Sequence, residues 1–118
     1  MDYIEQELIN RYKYLWEQHD VQNLGKLFTQ DIVYHEKSTV KFVGLEELEV
    51  YWTENKNKQE NVKFNVLRYV SIENQIIIDW RASFYDNIKK IALNLDGIMW
   101  WDLRDGKIST LKEFFNIN

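Results

Sequence analysis

Glu36 closes the segment Ile32-Val33-Tyr34-His35-Glu36, whose β-branched and aromatic residues predict a short strand. Alternation along a strand puts Ile32, Tyr34 and Glu36 on one face, so the carboxylate ends a row of apolar and ring side chains. At the mouth of an apolar pocket such a carboxylate is a base for a carbon acid, since that chemistry needs only position and desolvation. Beside Lys37 the plainer reading is a solvated strand-end residue. Tyr12 shares a helical face with Ile4, Leu8 and Leu15, which turns its phenol inward. An inward phenol must find a hydrogen-bond partner, in a substrate or in the protein itself. Glu113 shares a strand face with Leu111 and Phe115. An acid flanked by apolar neighbours inside a cavity has a raised pKa, which suits proton transfer. A salt bridge to Lys112 or Arg81 is the alternative.

Other chemistries lack their residues. His19 and His35 stand far apart, with no His-Glu-x-x-His spacing, so a metal site is not expected. Four glycines form no phosphate loop, and there is no nucleophile elbow. The expectation is a site without metal or organic cofactor. With no cysteine, disulfides and thiolate ligands are excluded, and a cytoplasmic location is the simplest fit. The residues Met1 to Glu5 lack the basic flank and apolar run of a signal peptide, and no run approaches a membrane span. Net charge is −4 and the basic residues are scattered, with Glu54 and Glu60 among Lys56, Lys58 and Lys63, which argues against nucleic-acid partners.

The elements that would position these groups are legible from periodicity. The first helix should give out near His19-Asp20, with Asp20 as N-cap of a second, short helix through Val21, Leu24, Leu27 and Phe28. Gly25 inside it implies close packing against a neighbour. After the first strand come a polar stretch, Lys37 to Lys41, and a turn at Gly44. A third helix follows, with Leu45, Leu48, Tyr51 and Trp52 on one side. A polar linker is expected over 55–61. Beyond it, 62–72, 75–85, 91–103 and 107–115 read as long strands joined by short turns, the last at Asp105-Gly106. Helices first and an antiparallel meander after is the α+β pattern in one domain, 1–118.

This order resembles the nuclear transport factor 2-like superfamily, particularly its SnoaL-like domain family. The resemblance is carried by Arg11-Tyr12, Asp20, Leu24, Leu27-Phe28, Asp31, Gly44-Leu45, Asp79-Trp80, Asp105-Gly106-Lys107-Ile108 and Phe114-Phe115. It implies a cystatin-like cone: N-terminal helices packed on a curved antiparallel sheet that encloses a pocket, commonly in homodimers joined through the convex sheet face. Among the relatives are isomerases, cyclases, hydrolases, dehydratases and transport adaptors, so the fold alone assigns no reaction. Against the ketosteroid isomerases, Glu36 is similar in placement to the catalytic aspartate, counted from Asp31, and Tyr12 to the tyrosine that holds the oxyanion. The counterpart of their protonated aspartic acid is Ile98, not an acid; Asp96, two residues earlier, has the same parity.

On the strand 91–103, Asn94, Asp96, Ile98, Trp100 and Asp102 share one face, and Leu93, Leu95, Met99 and Trp101 the other. One reading lines the pocket with the first set and gives the second to a partner subunit; the reverse assignment stays open. By the resemblance, the face of Leu111, Glu113 and Phe115 is concave. Trp52 and Trp80 read as pocket wall and core, Trp80 sharing a face with Ile76, Ile78, Ala82 and Phe84. Asp79 and Arg81, on the opposite face, are a candidate pair at an interface. The expected function is binding of a small apolar molecule between helices and sheet. It comes with or without isomerase-, lyase- or cyclase-type chemistry by Glu36 and Tyr12, assisted by Glu113 or Asp96. The alternative is a non-catalytic binding or scaffold domain.

Overall fold

A computed structural model describes residues 2–118, with side chains from Ile4 onward. Helix α1 (Asp2–Glu17) buries Leu8, Tyr12 and Leu15 as its periodicity requires, together with Ile9; Ile4, expected on that stripe, is exposed. The helix ends where expected. His19 takes a left-handed φ of 49°, the Asp20 N–H bonds back to Leu15 O at 2.9 Å, and the His19 N–H to Trp16 O at 3.1 Å. This is the paired 6→1 and 5→2 closure of a Schellman motif.

The second helix is a 3₁₀ helix, Val21–Lys26, rather than an α-helix. The Asp20 carboxylate makes no cap bond to the backbone; it accepts instead from the Asn23 side chain at 2.7 Å. Phe28 opens strand β1 (Phe28–Glu36) instead of extending the helix. Gly25 lies close to Leu45, as a Cβ there would meet the Leu45 side chain at 3.3 Å, a tight contact. The polar stretch after β1 holds a turn and a short strand, β2 (Val40–Val43). Helix α2 (Leu45–Lys58) starts at Gly44, whose φ of 88° suits a residue without a Cβ, and Glu47 reaches back to the Val43 N–H at 2.7 Å. The linker expected over 55–61 is absent. Residues Asn55 to Lys58 complete α2, and β3 (Gln59–Ile72) begins at once.

Strands β4 (Gln75–Asp86), β5 (Ile91–Arg104) and β6 (Lys107–Ile117) complete the meander within a residue or two of expectation. The six strands form one sheet in the order β2-β1-β6-β5-β4-β3. The meander is antiparallel, but β1 runs parallel to β6, so the sheet is mixed. Register shifts within β1/β6, β3/β4 and β5/β6 mark irregularities that bend long strands, and the sheet curves around the helices. Its inner face carries Phe64, Ile76, Ile78, Trp80, Met99 and Trp101, all almost fully buried under α1, α2 and the 3₁₀ helix. Among the described residues, no helix is long and apolar enough to cross a membrane.

Candidate functional site

The parallel pairing of β1 with β6 builds the centre of the site. Its register sets Tyr34 beside Leu111 and Glu36 beside Glu113, with these side chains on the concave face. Two carboxyl groups thus come from strands far apart in sequence. Helix α2 lies over them and contributes Tyr51, Asn55 and Lys58, one face at intervals of four and three. Helix α1 adds Tyr12 and Trp16, while β4 and β5 supply Trp80, Phe84, Leu93 and Leu95 as wall. Together they enclose about 250 Å³ between helices and sheet.

A glycine makes room for part of this wall. Gly97 lies between Trp80 on β4 and Phe115 on β6, and the two rings meet across it at 6.2 Å. A Cβ at residue 97 would stand 2.6 Å from Phe114 O and 2.7 Å from the Trp80 ring. The Lys37 ammonium lies 4.6 Å from the Phe115 ring centroid and flanks the same wall from outside.

The polar groups inside form two short hydrogen-bonded units. The Tyr34 hydroxyl donates to Glu113 Oε1 at 2.7 Å, and Tyr12 is in turn a hydrogen-bond neighbour of Tyr34. Nearer the surface, the Tyr51 hydroxyl donates to Glu36 Oε2 at 2.7 Å. Glu113 is only 6% exposed. Burial pushes its pKa up to about 8; the Tyr34 hydrogen bond opposes this, and the nearby Glu36 charge adds to it. It is therefore a neutral acid at neutral pH. Burial, reinforced by Glu113, raises Tyr12 and Tyr34 well above the ordinary phenol range, and raises Tyr51 as well. Both carboxyls have O–H donors, while Trp16, Trp52, Trp80 and Phe115 keep the surroundings apolar.

Of the side chains singled out in the sequence, the structure brings Tyr12, Glu36 and Glu113 to this cavity, with Tyr34, Trp52, Trp80 and Phe115 in its wall. Leu111 lies on the same face but wholly within the core. Glu113 pairs with Tyr34 and forms no salt bridge with Lys112 or Arg81. Asp96, Asn94, Ile98 and Trp100 do not reach the cavity. Leu93, Leu95, Met99 and Trp101 are the buried set of β5, so alternation turns the other set to the outer face. Asp96 there lies within reach of the Asn116 and Asn118 amides at 3.4 and 3.3 Å. Asp79 and Arg81 also lie outside and pair with each other at 2.8 Å. Asn55 and Lys58 were not anticipated, because the third helix was expected to end before Asn55; Tyr51 was placed on that helix but not assigned to the site. Their four-and-three spacing after Leu48 was the available signal. Among the described residues no group of three His, Cys, Asp or Glu side chains is placed to hold a metal ion.

Residues 9–111 match the SnoaL-like domain family. No curated protein matches the chain. Among solved structures, a candidate SnoaL-like polyketide cyclase from Shewanella denitrificans OS-217 superposes with a TM-score of 0.84 at 16% identity, covering 96% of this chain and 90% of that one. A hypothetical protein of ketosteroid isomerase-like fold from Catenulispora acidiphila DSM 44928, solved with trimethylamine, gives 0.82 at 15% identity over 92% and 84%. An LEH-like epoxide hydrolase of M. tuberculosis gives 0.80 at 9% identity over 93% and 80%. At such identities the likeness is one of fold.

Proposed function

The chain belongs to the SnoaL-like domain family, and we propose that it binds a compact, largely apolar carbonyl or hydroxyl compound in the helix–sheet cavity and moves a proton on it. The observation that carries this reading is the side-by-side placement of Glu36 and Glu113, with Glu113 buried and holding its proton near neutrality. Two carboxyls with different environments are the elements of acid–base catalysis. The cavity is slightly smaller than the roughly 300–1,000 Å³ of drug-sized sites, which favours a compact ligand.

In the proposed reaction, Glu36 takes a proton from carbon next to a carbonyl. Glu113 Oε1 accepts from Tyr34, so its proton sits on Oε2, available to the carbonyl oxygen as charge develops there. Tyr12 adds a second phenol to this end of the cavity. Return of the Glu36 proton to another carbon, and of the oxygen proton to Glu113, completes an isomerisation with no net change in protons. Turnover of a carbonyl substrate by the native chain, lost in Glu36→Gln and in Glu113→Gln and reduced in Tyr12→Phe, is the expected result. Unchanged rates in Glu36→Gln and Glu113→Gln would sink the reading.

A second reading is binding without turnover. It is favoured by one observation: each carboxyl is already satisfied by a phenol of the chain, Glu113 by Tyr34 and Glu36 by Tyr51. Ligands that raise the melting temperature without being transformed would select it. We propose further that a second copy covers the outer sheet face. Ile98 and Phe114 lie opposite each other there beside Trp100, all about half exposed, next to the charged pair Asp79–Arg81. An apolar centre flanked by both charges suits a self-complementary twofold contact. Sedimentation of the native chain as a dimer and of Trp100→Lys as a monomer is the expected result.

A further inference from the structure

The cavity has two chemically different ends. At one, α2 presents Tyr51 to Glu36, with Glu113 alongside. At the other, α2 finishes in Lys58, and the turn after β4 brings in Lys89. Hydrogen bonds staple that turn to the helix end: the Asn87 N–H donates to Lys58 O at 3.0 Å and the Asn87 side chain to Asn57 O at 3.3 Å. The seven-residue step from Tyr51 to Lys58 is about 10 Å along a helix. Phe84, Leu93, Leu95 and Phe115 line the space between.

The lysine end sets two ammonium groups beside one inward-lying acid, Asp86, and is rich in donors. Among the described residues neither Lys58 nor Lys89 closes an ion pair with a carboxylate. Asp86 spends Oδ1 on the N–H groups of Ile88 and Lys89, both at 2.9 Å, and these bonds, with the charges of Lys89 and Lys58, hold its carboxyl below the usual range; Glu60 accepts from the Asn87 side chain at 2.9 Å. His19 adds no charge near neutrality: burial lowers its pKa, and its Nε2 faces Gln59 O at 3.2 Å, an acceptor that requires the proton on Nε2. The Gln59 amide oxygen is taken by Trp16 Nε1 at 2.9 Å, which leaves its NH₂ group as a donor.

We infer that the ligand is an amphiphilic acid: a compact apolar body with the reacting carbonyl or hydroxyl at Glu36 and Glu113 and an anionic group, such as a carboxylate, about 10 Å away at Lys58 and Lys89. The inference rests on the cavity reading above and adds the ligand's charge and length. A neutral molecule of the same shape leaves the lysine end unmatched. An acid shorter than the span cannot engage both ends together.

The probes are 4-(4-acetylphenyl)butanoate, its primary amide, and the shorter 4-acetylbenzoate, titrated against the full chain by calorimetry at pH 7 in 20 mM and 300 mM NaCl. The native chain should bind the long acid about tenfold more tightly than the amide, with the preference shrinking at high salt. The short acid should show no such advantage. Lys58→Gln/Lys89→Gln should bind acid and amide with equal affinity, and both side chains are exposed, so the fold should survive. Equal affinity of native chain for acid and amide, or a preference that outlives the double substitution, overturns the inference while amide binding leaves the cavity reading standing. Failure of all three probes to bind overturns both.

Discussion

Replacing Glu113 by Gln should abolish the pH dependence that this residue imposes on stability. Gln keeps the acceptor for the Tyr34 hydroxyl and the shape of the side chain but cannot ionise. In the native chain the folded state holds the Glu113 proton up to about pH 8, whereas the unfolded chain releases it near the ordinary 4.5. Below the lower value both states are protonated and the group costs nothing. As pH rises from there, only the unfolded state gains by ionising, so stability is lost continuously until the folded carboxyl ionises too. The interval corresponds to roughly 5 kcal/mol in all. Between pH 5 and pH 9 the native chain should therefore lose about 4 kcal/mol relative to Glu113→Gln. Urea unfolding followed by fluorescence of the five tryptophans, at half-unit pH steps on both chains, measures this directly. The substituted protein should be the more stable above neutrality. Two curves that stay parallel to within about 1 kcal/mol across that range would show that Glu113 is not desolvated, and the acid assigned to the site would be lost.

Tyr34→Phe removes the donor to Glu113 Oε1, so it should destabilise the fold by about 1–3 kcal/mol and push the Glu113 pKa still higher, read from the carboxyl carbon in NMR titrations. Gly97→Ala should cost at least about 1–3 kcal/mol in unfolding experiments, because the new methyl meets Phe114 O and the Trp80 ring well inside van der Waals contact. Asp96→Asn should leave the Glu113 titration unchanged, since Asp96 lies on the opposite side of the sheet; a shift there would contradict the assignment of the β5 faces.

Long-range features of the fold were legible where periodicity ran uninterrupted. The four long strands and the stripe of Leu8, Tyr12 and Leu15 have one consistent period each; the limits of β4, β5 and β6 fell within a residue or two, while β3 begins three residues before the expected 62. Polarity misled at Asn55 to Lys58. These residues face the cavity mouth and solvent rather than the core, so they carry no apolar signal although the backbone stays helical. Among the described residues six non-glycines adopt left-handed φ angles, and at Lys37 and Lys90 nothing in the residue type announced the turn. Glu36, Tyr12 and Glu113 could be picked out because each stands among apolar residues of its own face. That Glu36 and Glu113 are neighbours could not, since no local pattern encodes the pairing of a first strand with a last one. For β5, both faces carry large side chains, and only the depth of burial separates Leu93, Leu95, Met99 and Trp101 from Asn94, Ile98 and Trp100.

The place of β6 between β1 and β5 has a consequence for how the chain folds. Without β6 the strands fall into two unconnected groups, the β1–β2 hairpin and the β3–β4–β5 meander, each with an open edge. Joining them closes a loop of more than half the chain, a contact of high sequence separation that slows folding. During synthesis the meander can form as soon as β5 emerges, but Glu36 and Glu113 cannot meet until residues 107–117 have left the ribosome. The carboxyl pair is thus completed only when β6 docks, and a chain halted before that point is a sheet in two pieces with an unpaired β5 edge open to other strands.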